Sequence, residues 1–200
     1  ICLRHNVTIL SDEIHNDLVF SPHRHVPIAS LSAEVDRITI TTHAASKTFN
    51  IASLSTAYMI IRDAALRDTV KRAFDPLHVE ALNPFGLEAT AAAFREGEPW
   101  RAALLDYLCG NYRFLQEALA ARLPRVTVSP LEGTYLAWLD FRSYGFSPQA
   151  LKDCMIQKAR LALNDGPMFG AGGEGFQRMN IACPRAVLGQ ALDQLAGALT

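Results

Sequence analysis

Ile38-Thr39-Ile40-Thr41-Thr42-His43-Ala44-Ala45-Ser46-Lys47-Thr48-Phe49-Asn50 is the stretch that decides the fold. Its first five residues are all β-branched, the composition of a buried strand, and the small and polar residues after them end the run. A counterpart lies upstream, where Val7-Thr8-Ile9-Leu10 runs into Ser11-Asp12-Glu13. A third apolar run, Tyr58-Met59-Ile60-Ile61, follows. Two early strands thus end in reactive side chains, Asp12 and Lys47. In open α/β sheets ligands gather beyond the carboxyl ends of strands, so these two side chains are candidates to face one pocket. On pattern alone, a lone Asp also reads as a turn cap and a lone Lys as a solvated side chain.

Working outward, the segment from Asn16 to Pro27 is polar and His-rich and reads as loop. Leu66, Val70, Ala73 and Phe74 recur at helical spacing, and Phe85 to Phe94 is an Ala-rich helix. Pro99 opens a long helix to about Arg122, with Leu104, Leu108, Tyr112, Leu115 and Leu119 on one face. Val126–Val128 and Thr134–Leu139 read as strands around a Pro130–Gly133 turn. Ser147-Pro148 is an N-cap followed by Pro at the first helical position, starting a helix to about Arg160. A Gly-rich loop leads to a strand from Phe176 to Ala182, and Pro184 starts a last amphipathic helix. The first 95 residues therefore read as α/β and residues 96–200 as α+β, with the long helix as the link.

The chain has 200 residues, which as a prior means one large domain or two small ones. Half the residues are hydrophobic and 20% are charged, which excludes a disordered or collagen-like chain. With 19 Lys and Arg against 20 Asp and Glu the net charge is −1, giving no electrostatic case for nucleic acid or an anionic membrane. No apolar run approaches the roughly 18 residues of a transmembrane helix. Cys2, Cys109, Cys154 and Cys183 form no C-x-x-C pair, so neither a disulfide framework nor a zinc ribbon is expected, and a reducing cytoplasm fits. The chain opens at Ile1 within a pattern, Ile1–Val7, that reads as the last turn of a helix running into a strand. An upstream segment is therefore expected.

Four runs carry a family resemblance, in order along the chain: Ser11-Asp12-Glu13-Ile14-His15 continuing to Asp17-Leu18, Ser46-Lys47-Thr48-Phe49-Asn50, Gly133-Thr134-Tyr135-Leu136-Ala137-Trp138-Leu139-Asp140, and Gly175-Phe176-Gln177-Arg178-Met179-Asn180-Ile181-Ala182-Cys183-Pro184-Arg185. Together they resemble fold-type I pyridoxal-phosphate enzymes, and within them the cystathionine β-lyase group of MalY/PatB type. The resemblance covers essentially the whole chain. Because such enzymes are about twice as long, it implies that this is their second half. Residues 1–95 would be the end of the cofactor-binding large domain, with a mostly parallel sheet, and residues 96–200 the C-terminal small domain.

The resemblance also implies roles. Lys47 matches the lysine that carries pyridoxal phosphate and moves the substrate Cα proton, work that suits an amine whose pKa falls readily on burial. Asp12 matches the carboxylate that keeps the pyridinium nitrogen protonated, which makes the ring a better electron sink. His15 stands where many relatives place a Tyr on the cofactor's phenolic oxygen, and a ring N–H can donate there. Arg178 matches the arginine that grips the substrate carboxylate, and in a strand it shares a face with Asn180, opposite Met179 and Ile181. Three residues before Lys47, relatives carry Ser or Thr on the phosphate. Here Ala44 stands there, leaving Ser46 or Thr42 as the hydroxyl for it. Ser55 stands where aminotransferases place an Arg on the phosphate, which tilts the reading toward lyases.

The implied activity is β-elimination of a cysteine S-conjugate such as cystathionine to thiol, pyruvate and ammonia. An aminotransferase on the same scaffold is the first alternative, and a non-enzymatic regulatory or interaction protein, whose binding would survive loss of Lys47, is the second. A small amino acid is the expected substrate, and a homodimer with no nucleic-acid or membrane partner the expected form. With the first half of the site absent, the 200 residues alone are expected to be inactive. Two other motifs are set aside. Gly170-Ala171-Gly172-Gly173-Glu174-Gly175 satisfies G-x-G-x-x-G but leads into a strand, not a helix, and so reads as a loop. His23-Arg24-His25 with His15 completes no metal-ligand set and reads as solvated loop.

Overall fold

The computed structural model describes residues 1–78 and 83–199, and the chain divides into two compact units, Ile1–Ala103 and Leu104–Thr200. In the first unit a single helical turn, α1 (Cys2–His5), ends at Asn6 in the left-handed region with φ 52° and leads into β1 (Ile9–Asp12). The strand begins two residues later than the apolar run suggests and extends through Ser11 and Asp12. These two polar residues pair with Thr41 and Thr42, so ladder pairing rather than hydrophobicity sets its end. A short helix, α2 (Ala33–Arg37), is capped by Ser32, whose hydroxyl accepts from the Val35 N–H at 3.2 Å. It delivers β2 (Thr39–His43) parallel to β1.

The connection from His43 to Tyr58 turns the chain back, so β3 (Tyr58–Ile61) joins β2 antiparallel and the sheet, ordered β1-β2-β3, is mixed. Burial along β2 alternates: Thr39, Thr41 and His43 are buried while Ile40 and Thr42 are half-covered. The period of two therefore places His43 on the same face as the two threonines. Two longer helices follow, each with a sequence-legible start. α3 (Ala64–Phe74) is capped by Asp63, which accepts from the Leu66 N–H at 2.8 Å. α4 (Pro84–Glu96) is capped by Asn83 and has Pro in its first turn. The long helix α5 (Glu98–Arg122) gives its first turns to this unit and the rest to the second.

The second unit is built on an antiparallel sheet ordered β4-β5-β7-β6, from β4 (Thr127–Val128), β5 (Leu136–Asp140), β6 (Asn164–Asp165) and β7 (Phe176–Asn180). α6 (Pro148–Asp153) starts on the Ser147 cap and continues as a π-turn over Cys154–Lys158. α7 (Arg185–Leu199) closes the unit. The core lies between the helices and one sheet face, where Leu115, Leu139, Met179, Ile181, Leu188 and Leu192 are buried. Each fully buried leucine contributes about 1.5–3 kcal/mol.

β7 stops at Asn180, two residues before the expected end, because the Asn180 side chain accepts from the Ala182 N–H at 2.8 Å and turns the chain. The buried Asn111 of α5 then pins this turn. Its amide donates to the carbonyls of Ile181 (2.8 Å) and Cys183 (2.9 Å), and its oxygen accepts from Arg185 Nε at 3.0 Å. The Gly-rich loop does lead into a strand. Gly173 is required there, because a Cβ on it would stand 2.0 Å from the Gly166 carbonyl oxygen.

Candidate active site

Because β1 and β2 run parallel, their carboxyl ends lie on one side of the sheet, and the register pairs Asp12 with Thr42. Asp12 is exposed at the end of β1, and its Oδ1 accepts from the Ile14 N–H at 3.2 Å. The junction is tied to β2 by the Glu13 N–H, which donates to the Thr42 carbonyl at 3.0 Å. Beyond β2 the chain coils tightly, the Phe49 N–H donating to the Ala45 carbonyl (2.9 Å) and the Ile51 N–H to the Ser46 carbonyl (3.1 Å). In this coil Ala44, Ala45 and Thr48 are buried, Ser46 is half-buried and Lys47 is exposed. His15, half-buried, sits in the turn after Asp12, its carbonyl accepting from the Leu18 N–H at 3.0 Å. Asp12, His15, Ser46 and Lys47 thus share the carboxyl-end side of one strand pair.

Two side chains of this region escaped the reading of the sequence. Glu13 is buried, and its carboxylate accepts from Ser11 Oγ (2.9 Å), His25 Nε2 (2.9 Å) and the Ile28 N–H (3.0 Å). His25 is an exposed loop residue, as the sequence suggests, but its ring nitrogen is hydrogen-bonded to Glu13. It fastens the 14–28 loop to the end of β1. Burial raises the Glu13 pKa, but the hydrogen bonds from His25, Ile28 and Ser11 outweigh it and hold the carboxyl below its ordinary 4.5. A depressed folded-state pKa contributes stability that is present above 4.5 and lost as pH falls through the lower folded value. Acidification through that window is expected to release the 14–28 loop, seen as faster hydrogen exchange at the Ile28 amide. Glu13→Gln is expected to cost about 1–3 kcal/mol at neutral pH and to remove the acid dependence. An Ile28 amide equally protected across this range would refute the assignment. His43, the second missed side chain, is taken up below.

In the second unit Arg178 lies in the middle of β7, opposite Trp138 of β5. Gln177, Met179 and Ile181 are buried behind it, which leaves Arg178 and Asn180 on the open face. Its Nη2 donates to Asn164 Oδ1 at 3.1 Å, and its guanidinium carbon lies 4.5 Å from the centroid of the Phe169 ring. Phe169 in turn meets Trp138 edge-on, with centroids 5.4 Å apart. Arg178 Nε is buried without a hydrogen-bond partner among the described residues. A guanidinium set among aromatic rings, with a spare buried donor, has the chemistry of a carboxylate receptor. Among the described residues no group of His, Cys, Asp or Glu is arranged to hold a metal.

The comparisons with known proteins agree with this architecture. The model of the family Aminotransferase class I and II matches residues 1–195, and the chain belongs to that family. It is 39% identical over 200 residues to cystathionine beta-lyase PatB of Bacillus subtilis (strain 168), covering 100% of this chain and 52% of PatB. Among solved structures, cystalysin from Treponema denticola, which contains pyridoxal 5'-phosphate, superposes with a TM-score of 0.96 at 31% identity, over 99% of this chain and 50% of cystalysin. The PLP-bound C-S lyase of Staphylococcus hominis, in its external aldimine form with L-cycloserine, gives a TM-score of 0.88 at 34% identity, over 100% of this chain and 48% of that one. The chain spans about half the length of the relatives it matches.

The donor set of the first unit fits pyridoxal phosphate. An exposed amine, an exposed carboxylate on the adjacent strand end, an imidazole and a hydroxyl are what the aldehyde, the ring nitrogen, the phenolic oxygen and the phosphate require.

Proposed function

We propose that the whole protein is a pyridoxal-phosphate-dependent carbon–sulfur β-lyase acting on cystathionine or a related cysteine S-conjugate. The observation that carries the reading is the placement of Asp12 and the Lys47 coil at the carboxyl ends of two paired parallel strands. In the reaction Cα loses its proton, the Cβ–S bond breaks and the sulfur leaves as a thiol. The remaining aminoacrylate takes up water to give pyruvate and ammonia. When bound, the cofactor supplies an electron sink for the charge that develops at Cα. Lys47 would hold it and would move the Cα proton of the substrate. Asp12 would keep the pyridinium nitrogen protonated, His15 would donate to the phenolic oxygen, Ser46 would hold the phosphate, and Arg178 would orient the substrate by its carboxylate.

The relationship to PatB supports the lyase reading, and the family as a whole supports aminotransfer as the second. Assay of the full-length protein with cystathionine separates them. The lyase reading expects pyruvate and thiol in equal amounts with no keto-acid acceptor, and amino transfer without pyruvate would overturn it. We place the protein in the cytoplasm as a homodimer. This reading rests on the family to which the chain belongs; among the described residues no helix is long and apolar enough to cross a membrane.

A further inference from the structure

The last residue of β2, His43, is buried to 6% exposure on a strand face it shares with Thr39 and Thr41. A buried imidazole needs partners at both nitrogens, and His43 has them. Nε2 lies 2.7 Å from Asn16 Oδ1, and Nδ1 lies 2.7 Å from the Tyr58 hydroxyl. An imidazole protonated on Nε2 satisfies both, donating to Asn16 and accepting from Tyr58. The Asp17 carboxylate is 3.8 Å from the same Nε2. That carboxylate also accepts from Thr48 Oγ1 at 3.3 Å, and Thr48 is fully buried. The Asp17 carbonyl in turn takes a bond from Arg101 Nη1 at 2.9 Å. Burial raises the Tyr58 hydroxyl pKa, with the Asp17 charge adding to it, so the hydroxyl stays a donor.

These bonds connect two short segments. Asn16 and Asp17 directly follow Asp12 and His15, whereas His43 and Thr48 stand on either side of Lys47. The coil that presents Lys47 is gripped from both flanks by the segment that presents Asp12 and His15. On the strand side the β1–β2 ladder and the Glu13 N–H bond to Thr42 end at Thr42, and the His43 imidazole carries the grip one residue further toward the coil. Phe94 closes over that imidazole at a centroid distance of 5.9 Å, so water does not substitute freely for the ring.

We propose that His43 is a positioning residue for Lys47: its imidazole, bridging Asn16 and Tyr58, fixes the lysine coil against the segment bearing Asp12 and His15. The role in catalysis rests on the function proposed above, but the positioning is independent of the cofactor. Gln places amide N–H donors near the position of Nε2, so His43→Gln keeps the link to Asn16, while His43→Leu removes both links.

The first readout is amide hydrogen exchange of the full-length, cofactor-free protein. His43→Leu is expected to speed exchange at Phe49 and Ile51, the amides that close the coil, by about tenfold, leaving Thr41 in the strand unchanged, and His43→Gln is expected to restore protection. The second is the rate at which pyridoxal phosphate becomes fixed to Lys47 on borohydride reduction, with the same order of loss and the same rescue expected. Tyr58→Phe removes one hydroxyl at a partly exposed site. It is expected to give a smaller change in the same direction, and it replaces His43→Leu should that variant fail to fold. Unchanged protection at Phe49 and Ile51, or a His43→Gln variant no better than His43→Leu, would overturn the proposal. Altered protection with no cofactor fixed to wild-type Lys47 would overturn the proposed function and leave the positioning role standing.

Discussion

Lys47→Ala is expected to end covalent attachment of pyridoxal phosphate and to lower turnover of the full-length protein by at least about 10³-fold, since in the function proposed above one side chain supplies both the nucleophile and the Cα base. Such a loss in an enzyme often reflects collapse of the fold, but the position argues against that here. Lys47 is exposed at the surface of a coil closed by backbone bonds from Phe49 and Ile51, which no side chain at 47 makes. Substitutions at exposed sites away from caps and networks shift stability by about 0.5 kcal/mol or less. Reduction with borohydride followed by peptide mass mapping should place the cofactor on the peptide containing Lys47 in the wild type and nowhere in the variant. A variant that still fixed cofactor elsewhere and released pyruvate at the wild-type rate would remove Lys47 from its role. Protection of the Phe49 amide should be the same in both proteins.

Much of this site was open to reading before any coordinates, and the reasons differ by residue. The β-branched run Ile38–Thr42 marks β2 because such side chains suit a pleated, covered surface, and the break at Ala44 marks its end. Ser147-Pro148 marks the start of α6 because a hydroxyl acceptor and a residue without an N–H are what a helix N-terminus needs. Even Ile1–Val7 reads correctly as a helical turn entering a strand.

What was hidden has one common cause: the partner is distant in the chain. The end of β1 at Asp12 depends on pairing with a strand 30 residues on, so no local pattern fixes it. Glu13 looks like a solvated charge until the loop brings His25 to 2.9 Å from it. His43 did leave a signal, a polar residue in register with two buried threonines, but its meaning rests on Asn16 and Tyr58. Arg178 sits between these cases. Alternation puts it on the open face, while the want of a partner at Nε appears only in three dimensions.

That unpartnered Nε makes Arg178→Leu a sharp test. An arginine held for structural reasons satisfies its donors within the protein, and removing it costs stability through the acceptors it leaves behind. Arg178 departs from that pattern. Leucine would lose the Asn164 contact and the stacking on Phe169, worth about 2–4 kcal/mol together. It would also remove a buried Nε donor that meets no acceptor among the described residues, which offsets about 1–3 kcal/mol of that loss. The melting temperature is therefore expected to change little. Activity should fall instead. Removing one member of a desolvated ion pair costs about 2–5 kcal/mol, so kcat/KM for cystathionine is expected to fall by about 30- to 5,000-fold. Arg178→Lys keeps the charge without the planar fork and should fall between the two, since a single ammonium cannot reproduce the bidentate contact. An amine substrate lacking the carboxylate sharpens the comparison, because wild type and Arg178→Leu should process it at similar rates. A fall in melting temperature with kcat/KM preserved would make Arg178 a structural residue and end its assignment to the substrate.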